Sequence, residues 1–391
     1  MSRRVPPLVP RMAEHSTTIF GEMSTLALET GAINLGQGFP DTDGPDELKA
    51  IAIEAIESGK GNQYPPPHGL PMLREAIAAH QMRFYGLNVD PQTEVVVGTG
   101  ASEVIQSILM SLIDDGDEVI VFEPWFDIYA AGISLAHGQR VSVPMSGPGL
   151  RPDLDALADA VTDRTRMILL NSPHNPTGVV FTPAELERVA EIAIANDLIV
   201  LSDEAYEHLW FPGHQHVPIA TLPGMWERTL TVGSGGKTFS FTGWKVGWAS
   251  GPRELIAATR VVRQHLSYVS GGPFQYAMAR GLGLPDEYFL GFRADLAMKR
   301  DLLAAGLSGL GFDVVMSQGT YFLTTDVRSL GFEDGLQFCR ELPGRAGVVA
   351  IPHQVFCDDE AIGAPYVRWA FCKRPDVLNE ALERLQRGLV A

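Results

Sequence analysis

The chain has 391 residues, 45% of them hydrophobic, enough to build a large domain with a smaller one beside it. Its 47 acidic and 30 basic side chains leave a net charge of −17, which argues against a nucleic-acid partner, because such proteins present a cationic face. Cys339, Cys357 and Cys372 are odd in number and lack metal-ligand spacing, so neither a disulfide framework nor a metal site is expected. The segment 1–7 is basic, but no apolar signal core follows it, and no run approaches the length of a membrane span. A cytoplasmic protein without a membrane partner is expected.

In chain order, residues 17–30 have the spacing of a short amphipathic helix. The segment 34–40, with Gly36 and Gly38, reads as a loop whose backbone is open to a ligand. From about Glu47 helical and strand patterns alternate, as a mostly parallel sheet requires. The clearest strands are 94–97, 118–122, 166–170, 198–201, 229–232 and 246–249. Helices are predicted over 184–196, after a suitably placed Pro183, over 253–265 and over 286–310. Separate strands follow at 321–325, 348–351 and 366–371, then a closing helix from Pro375. The class is α/β. Residues 45–285 read as a large domain, and 1–44 with 286–391 as a smaller α+β one.

Three segments follow apolar, β-branched runs, at the strand ends where open α/β sheets bind ligands. One holds Asn175 in Asn-Pro-Thr-Gly, a second Asp203 and Tyr206, and the third Lys237 after Gly235 and Gly236. Lys237 offers an amine that can form an imine, and nearby Lys245 is a second positive charge that would keep that amine neutral. An acid such as Asp203, held against a pyridine nitrogen, keeps the ring protonated and electron-withdrawing. Tyr206 and Asn175 are candidate partners of a ring oxygen. Asp203 could instead be a helix cap and Asn175 only a turn.

The Gly98-Thr-Gly-Ala-Ser102 turn joins a strand to a helix, whose free amides at Ala101 and Ser102 favour a phosphate. Ser234 and Lys245 are further phosphate candidates. Trp125 and Phe126 follow another strand, and one of them is placed to stack on a flat ring. Arg368 interrupts an apolar strand, so it needs an anionic partner, either an ion pair or a substrate carboxylate. This equipment suits a pyridoxal-phosphate enzyme acting on amino acids.

The motifs resemble those of the class I/II aminotransferases, which have the aspartate aminotransferase fold, from about Thr17 to the C-terminus. Asn34-Leu-Gly-Gln-Gly-Phe-Pro-Asp41 and Gly243-Trp-Lys-Val-Gly-Trp248 look like the branch of kynurenine aminotransferases, glutamine transaminase K and methionine aminotransferases. Leu266-Ser-Tyr-Val-Ser-Gly-Gly-Pro-Phe-Gln275 is similar to actinobacterial N-succinyldiaminopimelate aminotransferases. The resemblance implies fold type I, pyridoxal 5′-phosphate on Lys237, Asp203 at the ring nitrogen, and Tyr206 and Asn175 at the ring oxygen. It further implies Phe126 on the ring face, and Ala101, Ser102, Ser234 and Lys245 around the phosphate. Gly38, Asn175 and Arg368 would bind the substrate carboxylate. Tyr64 would reach the phosphate of a neighbouring subunit, so a homodimer with shared sites is expected.

The resemblance implies ping-pong transamination between an L-amino acid and a 2-oxo acid, with cysteine-conjugate β-elimination as an alternative on the same cofactor. Ser270, Gly271 and Ser102 are smaller than the aromatic and imidazole groups of the kynurenine branch, which implies a less aromatic pocket that Phe20 would border. Two donor sets stay open: glutamine, methionine and aromatic amino acids, or N-succinyl-L,L-diaminopimelate. The succinylated donor needs a second cation, for which Arg83, Arg263 and His265 are the candidates.

Overall fold

The β-branched runs pair into one eight-stranded sheet in this computed structural model, which describes residues 8–389. The basic segment 1–7 lies outside the described residues. The strands are β1 (Val95–Thr99), β2 (Glu118–Glu123), β3 (Gln139–Ser146), β4 (Arg151–Pro152), β5 (Thr165–Asn171), β6 (Ile199–Asp203), β7 (Thr229–Ser234) and β8 (Val246–Ser250). Their spatial order is β1-β8-β7-β6-β5-β2-β3-β4. The run from β7 through β6, β5 and β2 to β3 is parallel. Strand β8 runs against both its neighbours, and β4 against β3.

Every residue of β2, β6, β7 and β8 is buried. That explains why the sequence shows continuous apolar runs there instead of alternation. Successive residues nonetheless serve opposite faces. Val119 and Val121 pack with Ile105 and Ile108 on one side, while Ile120 and Phe122 pack with Leu186 and Val189 on the other. The helix carrying Leu186, Pro183–Ala195, opens with a Thr182/Glu185 capping box.

A second, four-stranded antiparallel sheet is built from β9 (Asp313–Val315), β10 (Phe322–Asp326), β11 (Ile351–Pro352) and β12 (Tyr366–Ala370), in the order β9-β10-β12-β11. Leu303, Phe338, Leu378 and Leu385 from three helices join Trp369 in the core beside this sheet.

The strand predicted over 348–351 is two strands. Val348–Val349 pairs in parallel with Ile33–Asn34, and after Ala350 the chain moves to β12. Ile33–Asn34 is therefore strand at the edge of a segment expected to be loop. Its pairing partner lies more than 300 residues away, which local pattern cannot reveal. Strands β3 and β9 were not expected either. Both are partly exposed and carry polar residues such as Gln139, Arg140 and Asp313. The first helix starts at Ile19 because Thr18 caps it, accepting from the Gly21 amide at 3.1 Å. Among the described residues no helix is long and apolar enough to cross a membrane. All three cysteines are buried and unpaired.

Candidate active site

Parallel pairing sets Asn171 of β5 beside Asp203 of β6, with Ser234 at the end of neighbouring β7. These ends border a cavity of about 390 Å³. Lys237, Asp203, Tyr206, Asn175, Ala101, Ser102, Phe126, Ser234, Lys245, Gly38 and Arg368 all line it. Phe20 lies at the same cavity. Parallel strands direct their C-terminal ends to one edge, so sequence-distant segments converge there.

Lys237 sits in the short helix Gly235–Thr238 that follows β7. Burial lowers its amine pKa to about 8, Lys245 and Arg368 push the same way, and Cys372 and Asp203 oppose them. The neutral amine that imine formation requires is therefore far more populated near neutrality than in an ordinary lysine. Its Nζ lies 2.9 Å from the Tyr321 hydroxyl. Burial raises the Asp203 carboxyl above its ordinary pKa, against two hydrogen bonds that favour ionisation. Tyr129 donates to Asp203 Oδ2 at 2.6 Å, and the Ala205 amide donates to Oδ1 at 3.1 Å. Burial also holds the Tyr206 phenol protonated, well above its ordinary pKa.

Arg368 is 2% exposed, yet no carboxylate of the described residues lies within salt-bridge distance of it. Its NH1 donates to Asn175 Oδ1 at 2.8 Å and its NH2 to the Gly36 carbonyl at 2.7 Å, while Nε has no partner. The rings of Phe322 and Phe20 stand 4.0 and 5.1 Å from the guanidinium carbon. Burial lowers its pKa to about 10, so it stays charged at neutrality. Asp127, at the same cavity, acts on it only from beyond salt-bridge distance, and a buried cation with an unused N–H and no bridged carboxylate is suited to an anionic ligand. Gly38 must be glycine here, because an added Cβ would overlap the Phe322 ring.

The 13-residue helix Gly100–Leu112 points its N-terminus at the cavity. Its cap, Thr99, makes no side-chain hydrogen bond, so the first amides remain free for a ligand. Gly100 has φ +78°, and a Cβ there would stand 3.1 Å from Lys245 Nζ. Lys245 itself has φ +53°, a left-handed conformation that costs free energy for a side-chain-bearing residue. A helix N-terminus with an ammonium against it is a cradle for a phosphate dianion. The residues present thus fit pyridoxal 5′-phosphate at both its phosphate and its ring-nitrogen ends.

Tyr64 does not line this cavity. It is 79% exposed, with its ring 5.4 Å from that of Tyr268. Ser270 is buried and accepts from Gln275 Nε2 at 3.0 Å. The three cations considered for a distal carboxylate are elsewhere. Arg83 is tied to Asp286 and the Leu284 carbonyl, Arg263 to Glu103 and the Tyr268 carbonyl, and His265 is exposed. Sequence reasoning also missed Tyr129 and Tyr321. Tyr129 carried a weak signal, lying three residues beyond Phe126 at a strand end, whereas Tyr321 carried none.

The chain matches the family described as aminotransferase class I and II over residues 30–385. It is 49% identical over 387 residues to a probable N-succinyldiaminopimelate aminotransferase of Mycobacterium tuberculosis, covering 96% of this chain and 97% of that one. The solved structure of N-succinyldiaminopimelate aminotransferase from that organism superposes with a TM-score of 0.94, over 97% of this chain and 99% of the other. Methionine aminotransferase of Escherichia coli is 37% identical over 97% of this chain and 99% of its own length. Matched along nearly its whole length by that family and by these relatives, this chain belongs to the class I and II aminotransferases, which are pyridoxal-phosphate enzymes.

Proposed function

We propose that this aminotransferase takes the amino group from an L-amino acid with a long, uncharged side chain, of the methionine, glutamine or aromatic kind. The carrying observation is the cavity's charge pattern. Arg368 is the one arginine among the described residues that line it, and Phe20, Phe126, Ile128 and Phe322 supply apolar wall. Pyridoxal 5′-phosphate supplies an aldehyde that accepts the amino group and a protonated ring that withdraws electrons from the substrate Cα.

Lys237 would carry the cofactor and, once its amine is released, take the proton from Cα and return it on the carbon that receives the nitrogen. Asp203, oriented by Tyr129, would hold the ring-nitrogen proton. Tyr206 and Asn175 would contact the ring oxygen, and Phe126 would cover the ring. Ala101, Ser102, Ser234 and Lys245 would bind the phosphate. Arg368, with Gly38 and Asn175, would orient the α-carboxylate of donor and acceptor alike. One carboxylate site for both partners supports a ping-pong order. Exposed Tyr64 fits a role at the phosphate of a second copy, so a homodimer is part of this reading. The unpaired cysteines fit a cytoplasmic location. Residues 45–285 would form the large unit, and 1–44 with 286–391 the small one.

A second reading, N-succinyl-L,L-diaminopimelate as donor, is favoured by the 49% identity to the mycobacterial relative. A donor panel with 2-oxoglutarate decides between them. Turnover of methionine, glutamine or phenylalanine, with none of the succinylated substrate, supports the first reading. Turnover of the succinylated substrate alone overturns it. Pyruvate release from a cysteine conjugate without an acceptor would reveal β-elimination.

A further inference from the structure

Tyr321 is fully buried and does not line the cavity; it stands behind Lys237. Its hydroxyl donates to the Gly38 carbonyl at 2.6 Å and also lies 2.9 Å from Lys237 Nζ. A phenol has one proton. With that proton on Gly38, the oxygen can only accept from the lysine. The ring is locked edge-on against Tyr206 at 5.2 Å and Phe322 at 4.9 Å.

The backbone is locked as well. Thr320, immediately before it, has φ +62°, a conformation a β-branched residue adopts only under constraint. That constraint is visible. The Thr320 amide donates to the Leu209 carbonyl at 2.8 Å, its side chain accepts from the Phe322 amide at 3.1 Å, and the Tyr321 carbonyl accepts from the Phe371 amide at 3.0 Å. Strain concentrated next to a side chain that meets the reactive amine is strain with a local consequence.

We propose that Tyr321 is a positioning residue for proton transfer: by accepting from Lys237 Nζ while anchored to Gly38, it holds the released amine with its lone pair turned into the cavity. The proposal rests on the reading of Lys237 given above. Without the hydroxyl, a four-carbon side chain ending in an amine has several rotamers to sample, and productive orientation becomes one among them. Gly38 belongs to the same N-terminal segment as Gly36, whose carbonyl accepts from Arg368. The segment therefore links the carboxylate clamp to the amine.

The test is Tyr321→Phe, which removes one oxygen and keeps the ring. In a single-turnover half-reaction with donor deuterated at Cα, the variant's proton-transfer rate falls roughly tenfold or more. Its primary isotope effect rises, and donor affinity stays within about twofold because Arg368 is untouched. In the apoprotein, the amine also loses an acceptor that favours its charged form. The pH midpoint for labelling Lys237 with an acylating reagent, read by peptide mass, moves down by roughly one unit. Cys372, Lys245, Asp203 and Arg368 face that amine and are unchanged between the two proteins. In a Lys237→Ala background rescued with methylamine, Tyr321→Phe changes nothing further.

An unchanged isotope effect with an unchanged labelling midpoint overturns the proposal. So does an equal loss of rate in the Lys237→Ala background, since that would mark a merely structural role. If wild-type protein shows no transamination at all, it is the functional reading that fails. The apoprotein labelling still reports on the Tyr321 contact.

Discussion

Arg368 and Asn175, 193 residues apart in the chain, share a hydrogen bond of 2.8 Å at the floor of the cavity. Only the amide oxygen of Asn175 can accept from a guanidinium, so the amide NH2 is left facing elsewhere as a donor. One contact thus orients both residues. On the proposed function the arginine would meet an incoming carboxylate, and the amide is left able to donate to an oxygen anion.

Arg368→Lys keeps the charge but loses the planar fork. A lysine also cannot serve Asn175 Oδ1, the Gly36 carbonyl and a carboxylate with the same geometry. KM for both donor and 2-oxo acid should rise roughly 10- to 100-fold, the range for hydrogen bonds to charged groups. A smaller change is expected in kcat. Initial-rate kinetics with each substrate varied in turn checks this; a rise for one substrate only would contradict a shared carboxylate site.

Tyr129→Phe removes the one side-chain hydroxyl that, among the described residues, bonds to Asp203, and leaves the ring packing in place. Among the described residues the carboxylate then keeps the Ala205 amide as donor, and loss of the Tyr129 hydrogen bond, which favours ionisation, lets its already raised pKa rise further. An acid more easily neutralised pairs less well with a ring nitrogen. Titration of the apoprotein with pyridoxal 5′-phosphate should show affinity weakened about tenfold, the equivalent of one charge-assisted hydrogen bond. The fold, followed by circular dichroism, should not change.

Behind the site, burial raises the pKa of Glu207 to about 8, opposed by the Tyr85 hydroxyl, which donates to it at 2.7 Å. Between the ordinary value of 4.5 and about 8 the folded protein holds a proton on this group that the unfolded chain has released. The unfolded state binds fewer protons there, so stability falls as pH rises through that window. Neighbouring His80, whose pKa burial lowers to about 3, gives the opposite slope below its ordinary 6.5, so the clean interval lies above that pH. Glu207→Gln should abolish the Glu207 component. From pH 6.5 to 8 the wild-type Tm should fall by roughly 2 °C more than that of the variant. Parallel Tm profiles would show that Glu207 does not titrate there.

Local patterns revealed much of this molecule because its central strands are buried on both faces and stand out as apolar runs. The residues of the cavity were legible for a related reason. Asp203 lies at the end of such a run, and Lys237 and Asn175 lie in the turns after two others. Edge strands were not legible. Gln139–Ser146 alternates polar and apolar residues with solvent on part of one face, and Ile33–Asn34 has only two residues.

Sequence alone determined which chemical groups are present and that the amine, the acid and the amide come at or just after strand ends, since composition, spacing and turn residues are properties of the chain read in order. It also limited the choice of cofactor, through an amine, an acid and a glycine-rich helix start. Only the tertiary structure decided that no carboxylate of the described residues bridges Arg368, that Tyr129 donates to Asp203, and that Tyr321 meets Lys237. It likewise took Arg83, Arg263 and His265 away from the cavity. Those are facts about distance and burial between residues far apart in the chain, which arise only when packing brings separate elements together.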